Sequence, residues 1–295
     1  MAHGAENLFY NACFPRSNGY DPRWVAEHQM GPNVLWLTEW LAEGLKLEPG
    51  MRLLDMGCGR AMSSIFLARE FGCFVFATDL WISAAENWRR VHEANLEDRV
   101  FPIHAEAHAL PFAADFFDVI VSLDSYQYYG TDDLYLSYIS RFLRPGGQIG
   151  IVVAGLTAEL VDSPPEYLLK PQANGKAFWE ADCYSFHSAA WWRRQWERSG
   201  CVHVEVADTL PDGWRHWVQH EQAIEAMGTG VFPSYAESLL EDAGRTIAFP
   251  RVIGRKREAE VSGVLGEGSH PHVWEPEFMA VCDKLLSART LKKDG

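Results

Sequence analysis

The stretch Leu53-Leu54-Asp55-Met56-Gly57-Cys58-Gly59 constrains this chain more than any other. An apolar run stops on a carboxylate, breaks into two closely spaced glycines and gives way to a helical pattern beginning near Ser63, the strand, tight loop and helix of a nucleotide-type site. Gly57 and Gly59 let the chain turn sharply and leave bare backbone against which a ligand can lie. A second apolar run, Cys73 to Thr78, ends on Asp79 about twenty residues beyond the loop, where a Rossmann-type site puts its ribose-binding carboxylate. Between the runs, Ser63 to Phe71 is apolar at helical spacing and is closed by Gly72, a C-terminal capping residue.

A dinucleotide is the first competitor for such a site. Met62 stands where the third fingerprint glycine would be, and Asp55 sits at the mouth of the loop, where a carboxylate repels a pyrophosphate. The same carboxylate attracts an ammonium group. That charge pattern favours S-adenosylmethionine, a cationic cofactor, over a nicotinamide or flavin dinucleotide.

Four ordered segments then resemble the class I S-adenosylmethionine-dependent methyltransferases. They are the Asp55-to-Gly59 loop, Glu106-Ala107-His108-Ala109-Leu110-Pro111-Phe112, the strand Asp115 to Ser122, and Leu143-Arg144-Pro145-Gly146-Gly147 with the strand after it. They run from Met51 to Val153 and are similar to the small-molecule branch that contains ubiquinone-biosynthesis and sarcosine-type methyltransferases. The resemblance implies a Rossmann-like, mainly parallel seven-stranded α/β sheet with helices on both faces. Periodicity alone gives a doubly wound α/β fold.

Around that core the expected organisation has four parts. Residues 1–46 form an aromatic, irregular arm and an amphipathic helix, with apolar positions from Val34 to Leu45. Residues 47–210 form the cofactor-binding core, including a helix at 188–198 and an alternating strand at 202–206. Residues 211–272 read as a helical insertion covering the substrate, helical at 214–227 and 235–248. Residues 273–295 hold a final strand at 278–282 and a tail.

Composition excludes several functions. The formal net charge is -14, which repels a phosphate backbone and argues against nucleic acid; no Asn-Pro-Pro-Tyr or Asp-Pro-Pro-Tyr signature of flipped-base methylation occurs. The six cysteines stand singly, without Cys-x-x-Cys or zinc spacing, so no metal is expected and reduced thiols are. The first residues lack a basic segment followed by a long apolar one, which predicts a cytoplasmic protein with no stable membrane association. Oligomeric state is not readable.

The candidate cofactor residues are Asp55, Gly57, Cys58, Gly59, Asp79, Leu80, Trp81, Glu106, Ala107 and Asp124. Asp55 is expected to reach the methionine ammonium directly or through water, its competing role being a cap on the loop amides. Asp79 is expected to take the ribose hydroxyls, its competing role being a helix N-cap; Leu80 and Trp81 either lie at the height of an adenine ring or belong to the core, and the resemblance puts Glu106 and Ala107 beside the adenine amino group. On the catalytic side stand Asp124, Tyr128 and His187. Asp124 follows the fourth strand and either orients a cationic amine, accepts a proton or caps a helix near Thr131. Tyr128 lines the methyl channel or belongs to the core, and His187 is a general base or a pocket residue. Trp191, Trp192, Trp196, Trp214 and Trp217 form an apolar roof or anchor the cover. The expected activity is in-line methyl transfer from S-adenosylmethionine to a small molecule. The alternatives are a cofactor-binding regulator without transfer and a lipid-modifying enzyme of the cyclopropane-synthase type.

Overall fold

Alternating apolar runs and helical patterns become, in chain order, β1 (Arg52–Met56), β2 (Phe74–Asp79), β3 (Val100–His104), β4 (Phe117–Leu123), β5 (Leu143–Val152), β6 (Gly155–Leu156), β7 (Val202–Thr209), β8 (Ile247–Ala248) and β9 (Pro250–Lys256). The helices are α1 (Pro22–His28), α2 (Val34–Ala42), α3 (Met62–Phe71), α4 (Ala84–Glu93), α5 (Tyr135–Ile139), α6 (Glu166–Leu169), α7 (Ala189–Ser199), α8 (Gly213–Met227) and α9 (Ala236–Asp242). These come from a computed structural model that describes residues 7–258.

Among the described residues the main sheet has seven strands in the order β3-β2-β1-β4-β5-β9-β7. The first five are parallel, and β9 runs antiparallel to both β5 and β7. All seven residues of β4 are buried, as expected of a central parallel strand covered on both faces. Its neighbours alternate between two cores: Leu53, Val119 and Val121 pack with Trp40 and Leu41 of α2, whereas Leu54, Ile120 and Ile149 pack with Trp192 and Trp196 of α7. Each fully buried side chain of this size contributes about 1.5–3 kcal/mol of apolar burial.

Three sequence expectations change here. The expected helix over 235–248 stops at Asp242, and the chain returns as β9, which fills the sheet between β5 and β7. The buried Asp242 carboxylate accepts hydrogen bonds from the Thr246 and Ile247 amides, which turns the chain from helix to strand. The strand expected at 278–282 lies outside the described residues. The aromatic arm is more regular than its prolines and glycines suggest: Asp21 caps α1 with Pro22 at its first position, an arrangement Pro favours. Finally, the helix after β4 starts at Tyr135, not near Thr131.

A buried carboxylate anchors the arm. Glu39 on α2 accepts from the amides of Arg16 and Ser17 and from the Ser17 hydroxyl, at 2.7–2.9 Å. Phe14 stacks on Trp36, and Gln219 of α8 donates to the Leu8 and Tyr10 carbonyls. In the segment between α1 and α2, Gln29 Nε2 donates to the Thr229 carbonyl at 3.4 Å and Asn33 caps α2. Among the described residues no helix is long and apolar enough to cross a membrane.

Candidate active site

The sheet order reverses between β1 and β4, and open α/β sheets bind ligands in the crevice beyond the carboxyl ends of strands at such a point. The loop after β1 is tied there by backbone bonds. The amides of Gly57 and Cys58 donate to the Thr78 carbonyl at 2.9 and 3.0 Å, and the Gly59 amide donates to Asp79 Oδ2 at 2.8 Å. Gly57 has φ of 69°, and a Cβ there would lie 1.9 Å from Ser125 Oγ. The glycine is therefore required by backbone conformation and by the close approach of the loop after β4.

Asp79 also accepts, through Oδ1, the amides of Trp81 and Ile82 at 2.7 and 2.8 Å. This turns the chain into α4, which Ser83 and Glu86 start with a reciprocal capping box, a signal present in the sequence as Ser-x-x-Glu. The turn leaves Leu80 51% and Trp81 72% exposed at the cleft. An indole this bare beside a cavity offers a stacking surface for a flat ring.

Ten of the sequence candidates line one cavity of about 230 Å³. Gly57, Cys58 and Gly59 form its floor. Asp79, Leu80 and Trp81 stand on one side with Glu106 and Ala107, and Asp124 and Tyr128 stand on the other. The arm supplies a wall that the sequence reasoning missed, namely His28, Met30, Gly31 and Pro32. Its signal was the Gly31-Pro32 pair, a turn dipeptide held between two helices.

Asp55 and His187 are not brought to this cavity. Asp55 lies beneath the loop, fully buried, with Oδ2 accepting from the Ser63 and Ser64 hydroxyls at 2.6 Å each. Its other oxygen has no hydrogen-bond partner among the described residues. Burial pushes its pKa up to about 6, against the lowering effect of the two serines. His187 belongs to a different corner, where Nδ1 bonds Glu159 at 2.9 Å and the ring stacks on Trp191 at 3.6 Å. Glu159 also accepts from the Ser188 amide and hydroxyl, so the cluster fixes the start of α7. The tryptophans divide likewise: Trp192 and Trp196 are fully buried core, while Trp217 reaches a cavity.

Asp124 does not cap a helix. It adopts φ of 49°, a left-handed conformation that Asp tolerates better than most residues, and its Oδ1 accepts from Gln127 at 3.2 Å. Loss of solvation raises its pKa to about 7; the Ala154 amide and Gln127 oppose this, and Asp182 adds to it. Burial also raises the Tyr128 hydroxyl well above its ordinary range. A second chamber of about 240 Å³ shares Met30, Gly31, Pro32, Trp81, Asp124 and Tyr128 with the first and is walled otherwise by α8 and the loops before α7 and α9.

Residues 53–147 match the methyltransferase domain family model. The chain carries a methyltransferase domain. It resembles methyltransferase GfsG of Streptomyces halstedii, with 34% identity over 147 residues that cover 50% of this chain and 50% of the relative. The match thus spans about half the length of that curated relative. Geranyl diphosphate 2-C-methyltransferase of Streptomyces lasalocidi is 27% identical over 227 residues, covering 76% of this chain and 71% of the relative. The crystal structure of the [4+2]-cyclase SpnF superposes with a TM-score of 0.60 at 19% identity, covering 79% of this chain and 84% of that one. The methyltransferase domain thus has the class I α/β fold, and the cyclase illustrates that the fold does not fix the reaction.

Proposed function

We propose that this protein transfers a methyl group from S-adenosylmethionine to a small organic acceptor. The observation that carries the reading is the adjacency of the two cavities: a glycine-floored cleft with an acidic strand end and an exposed indole shares Asp124 and Tyr128 with a second chamber. One compartment suits a nucleoside cofactor, and the adjoining one suits a second reactant.

The residues fit the cofactor group by group. Asp79 offers carboxylate oxygens to the ribose hydroxyls, Trp81 and Leu80 offer faces to the adenine, and Glu106 offers an acceptor to its amino group. Gly57 lets the loop pack against Ser125, where a Cβ would lie 1.9 Å from the hydroxyl, and so keeps bare backbone at the cavity floor. Asp55 keeps one buried oxygen unpartnered, available to the amino-acid ammonium through a bridging water. When bound, the sulfonium supplies an electrophilic methyl group.

The chain's own contribution is alignment and exclusion of water. Gly31, in the segment between α1 and α2, borders both compartments. A Cβ on Gly31 would lie 2.8 Å from Asp124 Oδ2, so the arm and the loop after β4 approach closely there. Asp124, partly buried where the two chambers meet, is placed to orient the acceptor or take its proton, and Tyr128 borders both chambers. Incubating the protein with cell extract and methyl-labelled S-adenosylmethionine, followed by mass spectrometry, tests the proposal. A labelled small molecule formed with S-adenosylhomocysteine supports it; cofactor binding with no labelled product in any fraction would refute transfer.

A further inference from the structure

The second chamber carries information about the acceptor. Its polar lining includes the carboxyl side chains of Asp124, Asp182 and Glu221 and, among the described residues, no lysine or arginine. Phe178, Trp217 and Tyr235 form an aromatic corner there, with ring centroids 5.2–6.4 Å apart and planes 68–76° from one another. His220 faces the same space although it is only 1% exposed. Neither of its ring nitrogens has a hydrogen-bond partner among the described residues.

We infer that the chamber binds an acceptor with an apolar or aromatic body and a cationic amine head, and that it rejects phosphorylated and carboxylated acceptors. This inference rests on the methyl-transfer reading and names its substrate class. An anion facing three carboxyl groups, with no fixed cation among the described residues, gives up its hydration for repulsion. An ammonium group meets the opposite situation. Carboxylates attract it and the aromatic faces stabilise it through their quadrupoles.

His220 completes the recognition. Its ring lies among Phe9 and Trp36, with centroids 6.0 and 6.1 Å away; burial pushes its pKa down to about 4, and the Gly31 backbone acts against that. The imidazole is therefore neutral and offers one nitrogen lone pair to an N–H of the head. Glu221 has a satisfied oxygen, accepting from Trp217 Nε1 at 2.9 Å, which locks the indole of the aromatic corner in place. Burial raises the Glu221 carboxyl above its ordinary range. An incoming cation favours the ionised carboxylate instead.

This separates the chain from the relative named for geranyl diphosphate, whose acceptor carries two phosphates. The test uses three ligands with one skeleton: tryptamine, tryptophol and indole-3-acetate. Each is titrated calorimetrically into the full chain, with and without S-adenosylhomocysteine. Tryptamine should bind about tenfold tighter than tryptophol, the scale of one cation–aromatic or partly screened ionic contact, and indole-3-acetate should not bind. The doubly substituted Asp182→Asn, Glu221→Gln protein should lose the preference for the amine while binding tryptophol and S-adenosylhomocysteine as before. Equal affinities, a preference for the acid, binding by none of the three, or an unchanged preference in the variant would each overturn the inference. Failure of S-adenosylhomocysteine itself to bind would instead count against the cofactor reading, because the ranking of the three ligands is measured without it as well.

Discussion

Asp55→Asn should abolish a specific part of the pH dependence of folding. The wild-type carboxyl has no exposure and a folded pKa of about 6 against an ordinary 3.8, raised chiefly by burial. Below the unfolded value both states hold the proton, and the group's stabilising effect is fully present. As pH rises towards 6 the unfolded chain releases its proton first, so unfolding becomes easier; above 6 both states are ionised and the effect levels off. At about 1.4 kcal/mol per tenfold change, the gap between the two values corresponds to about 3 kcal/mol lost across this window. Urea unfolding of both proteins at intervals from pH 4 to 7 gives the difference directly. Wild type should fall relative to Asp55→Asn by about 3 kcal/mol between the ends. Parallel stability curves would refute the assignment of a buried, protonated Asp55. A linked consequence follows for the cofactor. An ammonium brought near Asp55 favours its ionised form, so S-adenosylmethionine binding at pH 6 should release protons, measured by calorimetry in two buffers of different ionisation heat.

Gly57→Ala should weaken cofactor binding and destabilise the fold by about 2–4 kcal/mol, because a left-handed backbone and a Cβ 1.9 Å from Ser125 Oγ act together; thermal unfolding and calorimetry check both. Trp81→Ala should leave the melting temperature unchanged, since the side chain is mostly exposed, while raising the S-adenosylmethionine Kd by about tenfold. His187→Ala should keep cofactor affinity and lower stability by about 1 kcal/mol through the lost Glu159 bond and Trp191 stack; a large loss of affinity without loss of stability would return His187 to the site.

The gathering of Gly57, Gly59 and Asp79 at one cleft was legible because local chemistry dictates it. Gly57, Gly59 and Asp79 are set by a strand, a turn and a strand end that recur at fixed spacing, and α3, α4 and α7 begin or end on residues that announce themselves, such as Ser83, Ser188, Gly72 and Gly200. The acceptor half was not legible in the same way. His220 and Glu221 lie on an ordinary amphipathic helix and enter the chamber only because α8 packs on the arm. Met30 and Gly31 line the cleft through the way the segment between α1 and α2 packs over it, which no local pattern announces. His187 misled because a histidine before a tryptophan pair looks like site chemistry, yet its partner Glu159 comes from the loop after β6. The strand at 250–256 was not anticipated because it is short and follows a helix that ends on a side-chain cap from Asp242, a stop signal that periodicity does not carry.

The central claim is that S-adenosylmethionine occupies the cleft built around Asp79. Calorimetric titration of the cofactor into wild type and Asp79→Ala, each shown to be folded by circular dichroism, tests it most directly. The account predicts a single saturable site in wild type and a loss of at least about 100-fold in affinity in the variant, since ribose recognition and the Gly59 loop contact go together. No binding by wild type, or equal affinity in the two proteins, would contradict it.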